Sequence, residues 1–170
     1  MSLKYKSGER VSDSVGLLIS MLVRYPEISS IYYDPAKKEI KLCFLLNNNK
    51  KNVNNFVELL NKCIKTYNYL EGGQDNNLVS INYSSMGKIT LIDIHSTLDF
   101  FSLQELNLII NLVRDYFQES LNVEMEELTR EDQLFQEDLI GTILNNLRQE
   151  KTNQKLIAFR EEGKVMVFNK

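Results

Sequence analysis

Apolar positions along the chain change spacing three times, from the three- and four-residue intervals of an amphipathic helix to the alternation of strands. In the first stretch Val15, Leu18 and Leu22 recur at helical intervals before Pro26. Ser102 and Glu105 form a capping box at the start of the third. The pattern predicts helices at residues 10–25, 52–70, 103–121 and 130–150.

Each helical region leads into two short apolar runs around a polar turn, which is typical of a β-hairpin. The last two helices share one hairpin. We expect turns at residues 34–37, 84–87 and 161–164. The predicted strands are 28–33 and 39–46, then 78–83 and 88–95, then 156–159 and 165–168.

This order predicts the fold class. Isolated hairpins cannot bury an apolar face, so helices must cover them, and the chain belongs to the α+β class. We expect one domain over residues 1–170, with an antiparallel sheet built from three helix-then-hairpin units and helices packed on it. The alternative is a ferredoxin-like βαββαβ core at residues 39–127, closed by a short strand at 122–126.

Composition is that of an ordinary globular protein, with 43% hydrophobic and 25% charged residues. No apolar run approaches the roughly 20 residues that span a bilayer, so we expect no membrane partner. The first residues lack the features of a secretory leader, and Cys43 and Cys63 are too few and too far apart in sequence to suggest a zinc site or a redox pair. A cytoplasmic location is expected.

Charge is unevenly distributed along the chain. Through Leu70 there are 11 basic and 6 acidic residues, whereas the remainder has 9 basic and 17 acidic. The basic half supports one alternative function, an RNA-binding module, although the acidic total does not favour nucleic acid. Its binding residues would be Tyr32, Tyr33, Lys37, Lys38 and Lys41, together with the lysines of loop 47–52.

Catalytic motifs are absent from the sequence: it has no GxGxxG, GxxxxGK[ST], GxSxG or HExxH. Asp93 and His95 point the same way from a predicted strand, and a carboxylate can orient an imidazole or share a metal with it. They support a second alternative, a metal-dependent hydrolase centred on these two residues. A metal would need further ligands that no spacing identifies, so we expect no metal and no cofactor.

The final hairpin is apolar at consecutive positions, which predicts cover on both of its faces. At a chain terminus the second cover can come from another subunit, and the broad apolar edge of the last helix also indicates a contact surface. The sequence therefore favours a non-enzymatic protein that acts through association with itself or with another protein. The predicted contact residues are Phe135, Leu139, Ile143, Phe159, Met166 and Phe168.

Overall fold

A computed structural model describes residues 12–72, 79–124, 128–147 and 154–169. Within these ranges the helices are α1 (Asp13–Arg24), α2 (Val53–Leu70), α3 (Leu103–Phe117) and α4 (Arg130–Leu147). A 3₁₀ turn, Gln118–Ser120, follows α3. The strands are β1 (Ser30–Asp34), β2 (Glu39–Asn47), β3 (Ser80–Met86), β4 (Ile89–Thr97), β5 (Leu156–Glu161) and β6 (Lys164–Asn169).

The six strands form one antiparallel sheet in the order β3-β4-β2-β1-β5-β6. Each hairpin keeps its two strands adjacent, and the first hairpin lies in the centre. Strand β2 pairs with β4 of the second hairpin, and β1 pairs with β5 of the third. The predicted α+β sheet of three helix-then-hairpin units is confirmed.

Beside β2, one short contact corresponds to the last strand of the ferredoxin-like alternative. Leu121 makes one isolated antiparallel bridge to Leu46, and the amide of Asn122 donates to the carbonyl of Leu45 at 2.8 Å. Residues 122–124 do not continue as a strand, and 125–126 lie outside the described residues. The rest of this edge is occupied by β1, which makes the sheet wider than a four-stranded core.

Glycines fix two of the hairpin turns. Gly87 has φ +60° and is the first residue of the two-residue loop between β3 and β4, as a type II′ turn requires. The prediction of a turn at 84–87 is therefore displaced, because β3 extends to Met86. In the last hairpin Glu162 and Gly163 both have positive φ, which matches a type I′ turn.

Side-chain caps explain where the helices begin. The hydroxyl of Ser102 accepts a hydrogen bond from the amide of Glu105 at 3.1 Å, as the capping box predicts. The Glu105 carboxylate is fully buried and accepts a hydrogen bond from Ser96 on β4 at 3.1 Å. This contact ties the start of α3 to the sheet.

A single hydrophobic core lies between the helices and one face of the sheet. Alternate residues of β2 and β4 point into it, with Ile40, Leu42 and Phe44 on β2 and Ile92 and Ile94 on β4 fully buried. Helix α1 packs against α4, β5 and β6, while α2 packs against α3. Among the described residues nothing covers the opposite face of the sheet, which we call the open face.

Candidate functional site on the open sheet face

Every strand contributes side chains to the open face, and the strand register places them in rows. One row runs His95, Lys41, Tyr32, Ile157 and Phe168 from β4 to β6. The neighbouring row runs Asp93, Cys43, Ser30, Phe159 and Met166. The face is therefore polar or charged over β4 and β2 in these rows and apolar over β5 and β6.

Four side chains form what we call the terminal patch: Ile157, Phe159, Met166 and Phe168. Ile157 pairs across the hairpin with Phe168, and Phe159 pairs with Met166. The Phe159 and Phe168 rings stack with centroids 5.6 Å apart. Met166 remains 36% exposed and Phe168 46% exposed. The sequence predicted cover on both faces of this hairpin, and the described residues cover only the helix side.

The predicted contact residues of α4 lie on the other side of the sheet. Ile143 is only 8% exposed and belongs to the core, and Leu139 packs against that core half-buried. Phe135 and its neighbour Leu134 are exposed. The structure therefore does not join α4 and the terminal patch into one surface.

His95 and Asp93 share the open face, as alternation along β4 predicts. The imidazole, however, bonds to a different carboxylate: its Nδ1 contacts Oε1 of Glu39, which lies on the neighbouring strand β2. A carboxylate accepts, so Nδ1 carries the proton in this pair. Within the described residues no three His, Cys, Asp or Glu side chains come together as metal ligands.

Cys43 lies directly opposite Asp93 in the sheet. Its side chain is buried, and this burial raises the pKa of the thiol to about 12. A thiolate is the nucleophilic form, so this position is unsuited to covalent catalysis at neutral pH.

The surface predicted for RNA is divided by the fold. Tyr33 points into the helix-side core and is 4% exposed, so only Tyr32 reaches the open face. Loop 47–52 lies at one end of β2 and the turn carrying Lys37 and Lys38 lies at the other. Eight residues of extended strand separate them by about 26 Å. Lys38 is also engaged with Asp99, at 3.6 Å.

The basic residues near Lys37 line a cleft of about 390 Å³ on the open face. It contains Lys37, Lys41, Lys155 and the paired Glu39 and His95. Lys37, Lys41 and His95 are among the candidate residues that the sequence indicates, whereas Glu39 and Lys155 are not. These two join the site through pairing between strands distant in sequence, which leaves no local signal.

No helix in the described part of the chain is long and apolar enough to cross a bilayer. Comparisons with protein-family models, curated proteins and solved structures give no match.

Proposed function

We propose that this chain is a cytoplasmic, non-enzymatic protein that acts by self-association, with the terminal hairpin as its contact. The observation that carries the proposal is the uncovered terminal patch, with Met166 and Phe168 exposed beside the edge of the sheet. Exposed apolar residues that cluster, unlike scattered ones, mark interaction surfaces. The two cysteines are free thiols, in agreement with a reducing compartment.

The occupant we infer is a second copy of the chain, because β6 is an unpaired edge strand in the described sheet. Four apolar residues run from Val165 to Phe168, and neither a proline nor an inward charge interrupts them. The opposite edge, β3, is mostly Ser and Asn between its ends. An antiparallel pair of identical strands has twofold symmetry, which is the commonest symmetry of homodimers.

One register suits this pairing. With the twofold axis at Val167, Met166 of one copy lies opposite Phe168 of the other on the open face. Methionine sulfur and aromatic rings make favourable contacts. Burying the exposed parts of both residues in two copies removes on the order of 300 Å² of apolar surface, worth about 7 kcal/mol before association costs. A micromolar dissociation constant needs about 8 kcal/mol net, so the backbone hydrogen bonds along β6 must add to this apolar contribution, and we expect a weak dimer that dissociates between micromolar and millimolar concentrations.

The experiment measures the solution mass of the protein by sedimentation from micromolar to millimolar concentrations. We expect a dimer that persists in high salt, since its contact is apolar. The double substitution Met166→Ser, Phe168→Ser should give a monomer with an unchanged circular dichroism spectrum. A matched control is Met86→Ser, Leu91→Ser, which removes exposed apolar side chains from the far corner of the open face.

Three results would contradict the proposal. One is a wild-type protein that stays monomeric throughout this range. Another is a dimer that dissociates on substitution of Met86 and Leu91 but not of Met166 and Phe168, which would indicate that the open faces pack against each other. The third is a wild-type peak carrying absorbance at 260 nm that is lost with salt, which would favour RNA binding.

A further inference from the structure

The cleft on the open face is separate from the terminal patch and has its own chemistry. It lies where β1 ends and β2 begins, with Lys37 from the intervening turn and Lys155 from the residue before β5. Lys41 lies directly opposite both Tyr32 and His95 in the sheet. Five side chains from separate parts of the sequence thus converge on one concavity.

Both carboxylates in the cleft already have cationic or hydrogen-bonding partners. Asp34 Oδ2 lies 3.7 Å from the ammonium of Lys155. Glu39 Oε1 is bonded to Nδ1 of His95. These pairs leave the two remaining lysines of the cleft without a carboxylate of their own.

The remaining lysines are Lys37 and Lys41. Among the described residues Lys37 has no ion-pair partner, and its side chain is exposed at the cleft. The ammonium of Lys41 lies 3.9 Å from the centre of the Tyr32 ring, so the ring holds it above the open face. Leu156 lines the cleft at its floor but its side chain is buried in the helix-side core, so the Tyr32 ring is the apolar surface that the cleft presents.

We propose that this cleft binds a small organic phosphate. A phosphate monoester carries a charge of about −1.5 to −2 at neutral pH, so it is attracted to the two ammonium groups that no carboxylate pairs, in a cleft whose three lysines outnumber its two carboxylates. Lysine is an established phosphate ligand acting as a point charge. The organic part of the ligand lies against the Tyr32 ring, and the cleft volume is in the range of small-molecule sites.

The test uses His95 as a reporter, because it is the single histidine of the chain. Its imidazole carbon-bound protons give one set of signals in a ¹H–¹³C spectrum. The probes are inorganic phosphate and phenyl phosphate, added at constant pH and ionic strength with sodium chloride as the balance. We expect saturable shifts, with phenyl phosphate binding more tightly because its ring also contacts the Tyr32 ring.

The variant Lys37→Gln, Lys41→Gln should weaken phenyl phosphate binding by about tenfold or more. The matched control is Lys88→Gln, since Lys88 occupies the turn of the second hairpin and is exposed outside the cleft. It should bind as the wild type does. The dimer-disrupting pair Met166→Ser, Phe168→Ser should also retain binding, so the two proposals fail independently.

The proposal would be overturned if the His95 signals do not shift at about 10 mM phenyl phosphate, a concentration well above the typical dissociation constants of metabolites. An equal loss of binding in the Lys88 control would also overturn it, as a sign of general charge screening. A short RNA oligonucleotide distinguishes the source of the phosphate. If RNA moves the signals while neither monoester does, the ligand is a nucleic acid backbone and the small-molecule proposal is wrong.

Discussion

Arg160 on β5 connects the last hairpin to the end of the first helix. Its guanidinium donates to the carbonyl of Leu22 at 2.8 Å, of Tyr25 at 3.3 Å and of Ile28 at 2.8 Å. The side chain is only 4% exposed, and its Nε lies 3.5 Å from a carboxylate oxygen of Glu124. One residue near the C-terminal end thereby satisfies backbone carbonyls left over where α1 stops.

Replacing Arg160 with Met keeps most of the side-chain length and removes all three donors. A hydrogen bond from a charged donor contributes about 1.5 to 3 kcal/mol, and leaving buried carbonyls unpaired adds a desolvation cost. Because the three bonds share one side chain and are not additive, we expect a loss of about 3 to 5 kcal/mol in the free energy of unfolding. Arg160→Lys keeps the charge but loses the planar guanidinium that can donate to several carbonyls at once. We expect this variant to lose about 2 kcal/mol in the free energy of unfolding.

Urea unfolding followed by far-ultraviolet circular dichroism measures this loss. With a slope of about 2 kcal/mol per molar urea, the Met variant should unfold at a midpoint about 2 M lower. Arg130→Met at the exposed start of α4 is the control and should change stability by less than about 0.5 kcal/mol. A loss below about 1 kcal/mol for Arg160→Met would refute the capping role, since even one unpaired buried carbonyl should cost that much.

Two buried titratable groups give further predictions. Burial raises the pKa of the Glu27 carboxyl above its usual 4.5. Between the unfolded and the folded pKa, the folded state therefore keeps a proton that the unfolded state has released. The free energy of unfolding consequently falls as pH rises from 4.5 through the folded pKa of Glu27. Glu27→Gln should therefore raise the free energy of unfolding at pH 7 and flatten this dependence, whereas exposed Glu58→Gln should not; a dependence unchanged in Glu27→Gln would contradict the assignment. The Cys63→Ser variant leaves Cys43 as the single thiol of the chain. Because the pKa of Cys43 is about 12 in the folded protein in place of 9.0, its thiolate is scarce at pH 8. We expect the folded variant to react with iodoacetamide about a thousandfold more slowly than the variant unfolded in urea. Mass spectrometry measures the rate, and a difference below about tenfold would show that the thiol is accessible.

Local signals predicted most of the secondary structure. Alternation on β4 correctly separated the buried Ile92 and Ile94 from Asp93 and His95 on the open face. The serine cap of α3 also formed as its sequence indicates. These features depend on residues within a few positions of one another, which is the distance over which side-chain period and capping chemistry act.

The candidate cleft depends on sheet order, which no local pattern determines. Glu39 meets His95 because β2 pairs with β4, 56 residues apart in sequence. Lys155 meets Asp34 because β1 pairs with β5. Adjacent residues of a strand face opposite sides, so the predicted exposure of both Tyr32 and Tyr33 could hold for only one of them.

Under the proposed self-association, the apolar pattern of the terminal hairpin has an intermolecular explanation. Consecutive apolar residues in β6 predict two covered faces, and the described chain supplies one cover, the helix layer. A copy paired along β6 would extend the apolar rows by placing Met166 and Phe168 beside their counterparts. The cleft lies mainly over β1 and β2, and its nearest residues, Lys155 and Leu156 at the start of β5, are one strand from that edge, or about 5 Å at 4.8 Å per strand. Pairing along the β6 edge would not cover the open face, so the cleft of each copy would stay accessible. Because the twofold axis of such a pair is perpendicular to the sheet, both clefts would lie on the same side of the dimer.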